Sequence, residues 1–197
     1  MYVRQLILAL LALACAAGAA AAAQAGQDPK PAPAPVAETA TPPPAEPVDP
    51  TPRAVYLRQI YSLERQTWHW QRVMGVPVRR AARVARAYQK PVLRKVRARW
   101  TRFARAARLQ AQRVPHKGAW LCIHRYEGSW SDSGAPYYGG LQMDWGFMAH
   151  YGSYLLRTKG PANRWTPIEQ MWVAEHAYRS GRGFYPWPNT ARSCGLI

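Results

Sequence analysis

The sequence predicts a mainly helical protein in which a basic helical region precedes a small C-terminal domain. Apolar residues recur every three or four positions through residues 53–113, a pattern typical of amphipathic helices. Thr166, Pro167 and Glu169 form a capping box with proline at the first helical position, which predicts a later helix. The composition changes at residues 115–118, and six of the nine tryptophans follow. We therefore predict a basic helical region at 53–114 and a compact domain at 117–197.

Residues 1–25 resemble a secretory signal. Arg4 provides the positive start, residues 6–14 are apolar, and small residues offer cleavage sites near Ala23 or Ala25. A retained membrane anchor is a weaker alternative because the apolar run is short, and a lipid on Cys15 is weaker still. Residues 26–52 alternate proline with alanine and threonine, which predicts an extended, disordered linker. We expect the protein to be secreted and associated with the cell wall.

The first predicted helix covers residues 53–74 and ends at Gly75 and Pro77. The second covers residues 78–113 and is expected to bend at Pro91. Its apolar stripe is expected to pack on the first helix.

The formal charge of +17 is concentrated in this helical region. Residues 53–113 contain 17 Lys and Arg against one acid, Glu64, whereas residues 117–197 contain 8 against 5. Such a surface favours an anionic partner. Outside the membrane, the basic residues between Arg79 and Arg113 would bind anionic wall polymers or acidic lipid head groups. Nucleic acid would suit the charge equally, but the expected export argues against it.

Removal of the signal would leave two cysteines, Cys122 and Cys194, in an oxidising compartment. We predict a disulfide between them, because free thiols or a metal site without further ligands are poorer explanations. The chain-entropy model gives such a bridge a stabilisation of about 4 kcal/mol.

Glu127 is the candidate catalytic residue. Trp120, Ile123 and Glu127 are spaced by three and four residues, so a helix ending at Gly128 would place the carboxyl group on its apolar face. Burial and the helix dipole would both favour the protonated form. A neutral carboxylic acid can protonate a glycosidic oxygen, which is otherwise a poor leaving group. The structural alternative is a terminal Glu that faces water or pairs with Arg125.

Three segments carry a family resemblance: Glu127-Gly-Ser-Trp130, then Tyr137-Tyr-Gly-Gly-Leu-Gln142, then Trp187-Pro188 before Cys194. On these motifs, residues 117–197 resemble the transglycosylase-like domain of resuscitation-promoting factors, in the lysozyme-like superfamily. The resemblance implies a small α+β domain of lysozyme-like fold. It also implies that Glu127 is the single catalytic acid of a peptidoglycan-cleaving enzyme, and that Gln142, Tyr137 and Tyr138 line a sugar groove. In that family a cysteine usually directly precedes the Glu, whereas Cys122 stands five residues before it.

A lysozyme of the retaining type would need a second carboxylate about 5 Å from the acid. Asp132 and Asp144 are the candidates close to Glu127 in the sequence. Asp132 would more commonly form a side-chain bond within its turn, and Asp144 would more commonly cap the next helix. If neither acts, Glu127 alone suffices for a lytic transglycosylase.

The remaining polar and aromatic residues have mostly structural interpretations. Trp130, Trp145 and Trp187 could stack on sugars, although each is more often a core residue in a small domain. Glu175 is expected to form a buried ion pair with an arginine. The histidines lack ligand spacing, so we predict no metal site, and no cofactor is implied.

Two other classes of function remain open. The C-terminal domain could be a non-catalytic cell-wall-binding module that holds glycan without cleaving it. More weakly, the basic helices could be membrane-active. The sequence favours an exported enzyme, either a lytic transglycosylase or a muramidase, that cleaves the glycan strand of peptidoglycan during wall remodelling.

Overall fold

The computed structural model describes residues 51–79 and 89–197, which are mainly helical with one small antiparallel sheet. The predicted signal and all of the predicted linker before Thr51 lie outside the described residues. The helices are α1 (Pro52–Val73), α2 (Lys90–Ala111), α3 (Lys117–Glu127), α4 (Trp145–Tyr151), α5 (Ser153–Lys159), α6 (Pro167–Ala177) and α7 (Pro188–Ser193). The strands are β1 (Tyr137–Tyr138) and β2 (Met143–Asp144). A 3₁₀ turn covers Ala162–Arg164 and a π turn covers Tyr178–Arg182.

Helix α1 follows the predicted pattern closely. Thr51 accepts a hydrogen bond from the Ala54 amide at 3.3 Å, and Pro52 occupies the first turn. The helix ends just before Gly75, whose φ of +68° is the left-handed conformation that suits glycine. On the inner face of α1, Ile60 packs with Leu93 and Trp100 of α2. These contacts form a small core between the two helices.

Helix α2 differs from the prediction at its start. We expected one helix over residues 78–113 with a bend at Pro91, but Pro91 lies in the first turn of α2 and does not bend it. Gln89 is extended, as an N-cap residue usually is, and Pro91 needs no amide hydrogen in a first turn. Residues 80–88 of the expected helix lie outside the described residues.

The main core includes residues from both predicted regions. Val73 and Ala111, the last residues of α1 and α2, belong to the same buried cluster as Trp120, and so do Met74 and Val114, which follow the two helices. The core then continues through α3, α4, α5, α6 and α7 in residues that include Ile123, Met148, Leu155, Trp172 and Ala191. The helical pair is therefore seated on the C-terminal residues instead of standing apart from them.

Polar contacts reinforce this seating. The indole of Trp172 donates a 2.8 Å hydrogen bond to the carbonyl of Ala111, the last residue of α2. His69 of α1 lies 2.8 Å from a carboxylate oxygen of Glu169, at the start of α6. Such buried polar contacts have a fixed geometry, so they define how the pair sits on the core.

The predicted disulfide between Cys122 and Cys194 is confirmed. It joins α3 to the residue that ends α7, across 72 positions of sequence. Because both helices contribute to the candidate site, the bridge limits their relative movement.

Within residues 51–79 and 89–197, no helix is both long and apolar enough to cross a bilayer.

Candidate functional site

Glu127 lies at the last position of α3, as the spacing predicts. Trp120 and Ile123, on the same face, are fully buried, and Glu127 is half-buried. The hydroxyl of Thr190, on α7, donates a 2.7 Å hydrogen bond to Oε1 of Glu127. The expected alternative partner, Arg125, is exposed and forms no salt bridge with it among the described residues. The carboxyl group is therefore held by a neutral donor.

Asp132 has the structural role that its turn predicts. Its Oδ1 accepts a 2.9 Å hydrogen bond from the amide of Gly134, and its Oδ2 accepts a 2.8 Å bond from the side-chain amide of Gln142. The Gly134 amide, with a further contribution from Gln142, holds the pKa of Asp132 below its usual value. The ionised carboxylate is thus engaged at both oxygens, and it fixes the orientation of the Gln142 amide.

Gln142 has a backbone φ of +46°, which is uncommon for a residue with a side chain. Its amide nitrogen also donates a 2.9 Å hydrogen bond to the carbonyl of Gly139. A Cβ placed on Gly128 would lie 3.6 Å from both this nitrogen and Oδ2 of Asp132. The backbone of Gly128, the residue that follows Glu127, therefore lies close to the Asp132–Gln142 pair.

Asp144 caps α4, as predicted, with Oδ1 accepting a 2.7 Å hydrogen bond from the Phe147 amide. It also ends β2, where it pairs with Tyr137 of β1. The two-stranded sheet thus places the tyrosines of β1 beside the start of α4.

A groove of about 510 Å³ runs along α4. Gln142 and Asp144 line it at the start of the helix, and Tyr151 lines it at the end. Its other lining residues are Tyr137, Met143, Gly146, Phe147, His150, Arg182, Pro186 and Trp187. Glu127 does not line this groove. The next residue, Gly128, lies close to Gln142, which does line it.

Four aromatic residues that could stack on sugars differ in the solvent exposure of their side chains. Trp145 is 56% exposed and Tyr137 is 49% exposed, so both present ring surface to solvent. Tyr138 is half-buried and lies edge-on to Trp145, with ring centroids 6.5 Å apart. Trp187 is buried and donates a 2.7 Å hydrogen bond to the Leu141 carbonyl, although it also lines the groove. Of these four, only Trp145 and Tyr137 are exposed enough to act as open stacking platforms.

Trp130 is half-buried and stacks on His124, with ring centroids 3.8 Å apart. This pair lies against Gly140, where a Cβ would come within 2.5 Å of the His124 ring and 2.7 Å of the Trp130 ring. The Gly-Gly sequence therefore allows the β1–β2 turn to approach α3.

Gln170 is a buried residue that the sequence did not single out. Its Oε1 accepts a 2.9 Å bond from the Gly140 amide, and the two hydrogens of its Nε2 are directed at the carbonyls of Trp130 and Ala162, with Trp165 as a longer, shared acceptor at 3.2 Å. Gln170 therefore connects α6 to the turn that contains Gly140 and to the loop that contains Trp130. No local pattern indicates this role, because its partners lie up to 40 residues away.

Glu169 and Glu175 are structural, as predicted. Glu169 completes the capping box with Thr166 and also contacts Lys159 and His69. Glu175 is buried and pairs with Arg179 at 3.2 Å.

Glu175 also binds two groups that the sequence did not indicate. His116 lies 3.0 Å from one of its oxygens, and the Trp120 indole donates to the same oxygen at 3.1 Å. Elsewhere in the described part of the chain, no three His, Cys, Asp or Glu residues are grouped so that they could hold a metal ion.

Three polar residues of the groove are not among those that the sequence predicts: His150, Tyr151 and Arg182. Tyr151 could have been found, because Asp144, Phe147 and Tyr151 follow the spacing of one helical face. Arg182 depends on the π turn after α6, which has no simple sequence signature.

Comparison of the chain with models of known protein families, with curated proteins and with solved structures gives no match.

Proposed function

We propose that this protein is an exported enzyme with a lysozyme-like domain that cleaves the glycan strand of peptidoglycan, with Glu127 as general acid and base. One observation carries the proposal: a half-buried carboxyl group ends a helix, and the backbone of the next residue lies close to the amide of Gln142, which lines a groove. The position of Glu127 matches that of the catalytic acid in the family that the motifs resemble.

The proposed reaction needs one carboxyl group. Glu127 donates its proton to the glycosidic oxygen as the bond from that oxygen to C1 of the muramic sugar breaks. The C6 hydroxyl of the same sugar then attacks C1 and loses its proton to the Glu127 carboxylate. The product is a 1,6-anhydro ring, and Glu127 is again protonated. We therefore favour a lytic transglycosylase over a muramidase.

The two aspartates support the choice of a single acid. Both oxygens of Asp132 accept hydrogen bonds within the loop, and Asp144 uses Oδ1 to cap α4. Asp132 could attack a sugar carbon only through an oxygen that already accepts a bond, and loss of that bond would cost about 1–3 kcal/mol. Their present bonds suit positioning better than covalent chemistry.

The groove suits a saccharide. Tyr137 lines it with an exposed aromatic ring, whose apolar face can stack on a sugar ring. Trp145 does not line the groove, but it lies between Asp144 and Gly146, which do, and it offers a second exposed ring. Gln142 adds an amide whose nitrogen is already engaged by Asp132 and Gly139, so its oxygen remains the group that can accept a bond from a sugar hydroxyl.

The outer face of α2 suits an anionic wall polymer. It carries five exposed cations, which we call the basic face: Arg94, Lys95, Arg99, Arg102 and Arg105. By contrast Arg97, on the inner side, contacts the ring of Tyr56 and donates to Gln59. Helix α2 contains no acidic residue. Charge complementarity would concentrate the enzyme on the wall, in a way that added salt weakens.

The assignment of the acid is tested by Glu127→Gln. We expect this variant to lose at least about a thousandfold in turnover on soluble glycan, because the neutral amide cannot donate the proton. Its thermal unfolding and wall binding should stay unchanged. The neighbouring Tyr126→Phe is a matched control, because Tyr126 is 58% exposed and should tolerate the change. Substantial turnover by the Gln variant would overturn the assignment.

The role of the basic face is tested separately by Arg99→Glu with Arg102→Glu. We expect weaker retention on whole cell wall and normal turnover on short soluble glycan. Loss of both, in a variant that folds normally, would argue against a separate wall-binding role.

A further inference from the structure

Arg182 lines the groove beside Tyr151, the residue that ends α4. Both Arg182 and Tyr151 line the groove there, whereas Asp144 lines it at the opposite end of α4. The seven positions between Asp144 and Tyr151 correspond to about 10 Å of helix. The groove therefore has an acidic start and a basic end.

The backbone around Arg182 turns sharply. Arg182 ends the π turn and is flanked by Gly181 and Gly183, which have φ values of +94° and +54°. Both values favour glycine, because side chains rarely adopt this region. The chain thus leaves the α6 axis abruptly and carries Arg182 back toward the end of α4.

Arg182 lies near the hydroxyl group of Tyr151, and no carboxylate of the described residues forms an ion pair with it. Ser180 donates a 3.3 Å hydrogen bond to the Tyr151 hydroxyl. This bond lowers the pKa of Tyr151, burial opposes the shift, and a hydrogen bond from Arg182 and its charge lower the pKa further. Within residues 51–79 and 89–197, Arg182 forms no salt bridge with a carboxylate. His150, on the last turn of α4, is the other titratable group of this end of the groove.

We infer that Arg182 and the Tyr151 hydroxyl bind a carboxylate carried by the glycan, and so select acidic saccharides over neutral ones. The inference rests on the proposed function and deepens it by naming the substrate class. A guanidinium in a groove binds carboxylate through charge-assisted hydrogen bonds, and a phenol hydroxyl can donate a further one. In peptidoglycan this carboxylate has two sources: the peptide stem, or the lactyl group of a muramic sugar without a stem, because a stem is joined to the lactyl carboxyl group by an amide bond.

Binding tests the inference without depending on turnover. The full chain with Glu127→Gln is titrated with three saccharides of equal length, and the dissociation constants are measured by calorimetry. The first is a neutral N-acetylglucosamine tetramer. The second alternates N-acetylglucosamine with muramic acid and has free lactyl carboxylates. The third carries peptide stems on its lactyl groups.

We expect the acidic saccharides to bind about fivefold more tightly than the neutral tetramer, which is the effect of one partly exposed ion pair on a dissociation constant. Adding Arg182→Gln should remove this preference and leave the affinity for the neutral tetramer unchanged. Arg182→Lys should retain part of it. A loss confined to the stem-bearing saccharide would assign the carboxylate to the peptide, and a loss confined to the saccharide with free lactyl groups would assign it to the lactyl carboxylate. A loss for both would show that Arg182 binds either carboxylate.

Arg157→Gln is the matched control, because Arg157 is exposed on α5 and does not line the groove. It should keep the full preference. The inference is overturned if Arg182→Gln weakens the binding of neutral and acidic saccharides equally, or changes neither dissociation constant. These outcomes are independent of the proposed catalysis, whose failure would appear as a lack of cleavage by the unmodified protein.

Discussion

The hydroxyl of Thr190 donates a 2.7 Å hydrogen bond to Oε1 of Glu127 across 63 positions of sequence. The bond joins the first turn of α7 to the end of α3, and the disulfide between Cys122 and Cys194 joins the same two helices. The candidate acid therefore has a covalent bridge and a hydrogen bond that fix its surroundings.

Thr190→Val should lower kcat about tenfold with little change in KM. The variant keeps the side-chain shape but loses a bond to the carboxyl group, and such bonds contribute about 1.5–3 kcal/mol when the acceptor is charged. Thr190→Ser should restore most of the rate. Steady-state kinetics on soluble glycan would measure both.

Thr158→Val provides the control for a lost hydroxyl. Thr158 is exposed on α5 and bonds the carbonyl of Tyr154, so this change should leave kcat unaltered. A normal rate in Thr190→Val would contradict the positioning role.

Asp132→Asn should reduce kcat/KM by about tenfold. The Asn oxygen can replace only one of the two acceptors that now bind Gly134 and Gln142, so the Gln142 amide loses its fixed orientation. If Asp132 were instead a catalytic nucleophile, the rate would fall by more than about a thousandfold. The size of the loss thus separates positioning from covalent chemistry.

Asp144→Asn is the matched change at the other candidate acid. Asn caps a helix about as well as Asp, so stability and activity should both stay near normal. A large loss of activity in a well-folded Asp144→Asn protein would return Asp144 to consideration as the second carboxylate.

Gly140→Ala should lower the free energy of unfolding by about 1–3 kcal/mol, the usual range for overpacking. The added Cβ would come within 2.5 Å of Nδ1 of His124 and 2.7 Å of Trp130, and neither stacked ring can move away easily. Gly118→Ala is the control, because no atom lies within 4 Å of its added Cβ and alanine favours helix. Denaturant unfolding of both variants measures the difference; equal stabilities would show that the Gly-Gly turn tolerates a side chain.

Glu169 should make stability depend on pH in the acid range. Burial raises its pKa, but the hydrogen bonds from His69, Lys159 and the Thr166 amide outweigh this effect and lower the pKa to about 2 from an ordinary value of 4.5. Because the pKa is lower in the folded protein than in the unfolded chain, the ionised carboxylate stabilises the fold at any pH above about 4.5, here by about 3 kcal/mol. This stabilisation disappears as the pH falls from about 4.5 to 2. The Glu169→Gln protein should therefore be less stable than the unmodified protein at pH 7.

The difference between the two proteins should shrink as the pH approaches 2, because protonated Glu169 resembles glutamine. Unfolding free energies measured from pH 7 to pH 2 give this comparison. A difference that stays constant over the whole range would contradict the assigned pKa.

Local patterns allowed the helices and caps to be predicted. The periodic residues of α1, the capping box of Thr166 and Glu169 and the capping role of Asp144 are all confirmed, because each depends on neighbours within one or two turns. The disulfide could also be predicted, since only one pairing was open to Cys122 and Cys194 once residues 1–25 were set aside.

Contacts between distant segments could not be predicted in this way. The bond from Thr190 to Glu127, the hold of Gln170 on Gly140 and the placement of Arg182 all depend on how α6 and α7 fold back onto α3. The expected bend at Pro91 failed for a local reason: proline suits a first helical turn as well as a kink, and periodicity alone does not separate the two.

The central claim, cleavage of peptidoglycan by Glu127, is tested most directly by mass spectrometry of purified peptidoglycan after incubation with the oxidised protein and with its Glu127→Gln variant. We predict 1,6-anhydro muropeptides from the unmodified protein and none from the variant. Muropeptides with reducing ends would instead indicate hydrolysis and a second carboxylate. No product from either protein between pH 5 and pH 8 (roughly the range in which a carboxyl acid and base of this kind operates), with wall binding retained, would contradict the claim and support a binding module.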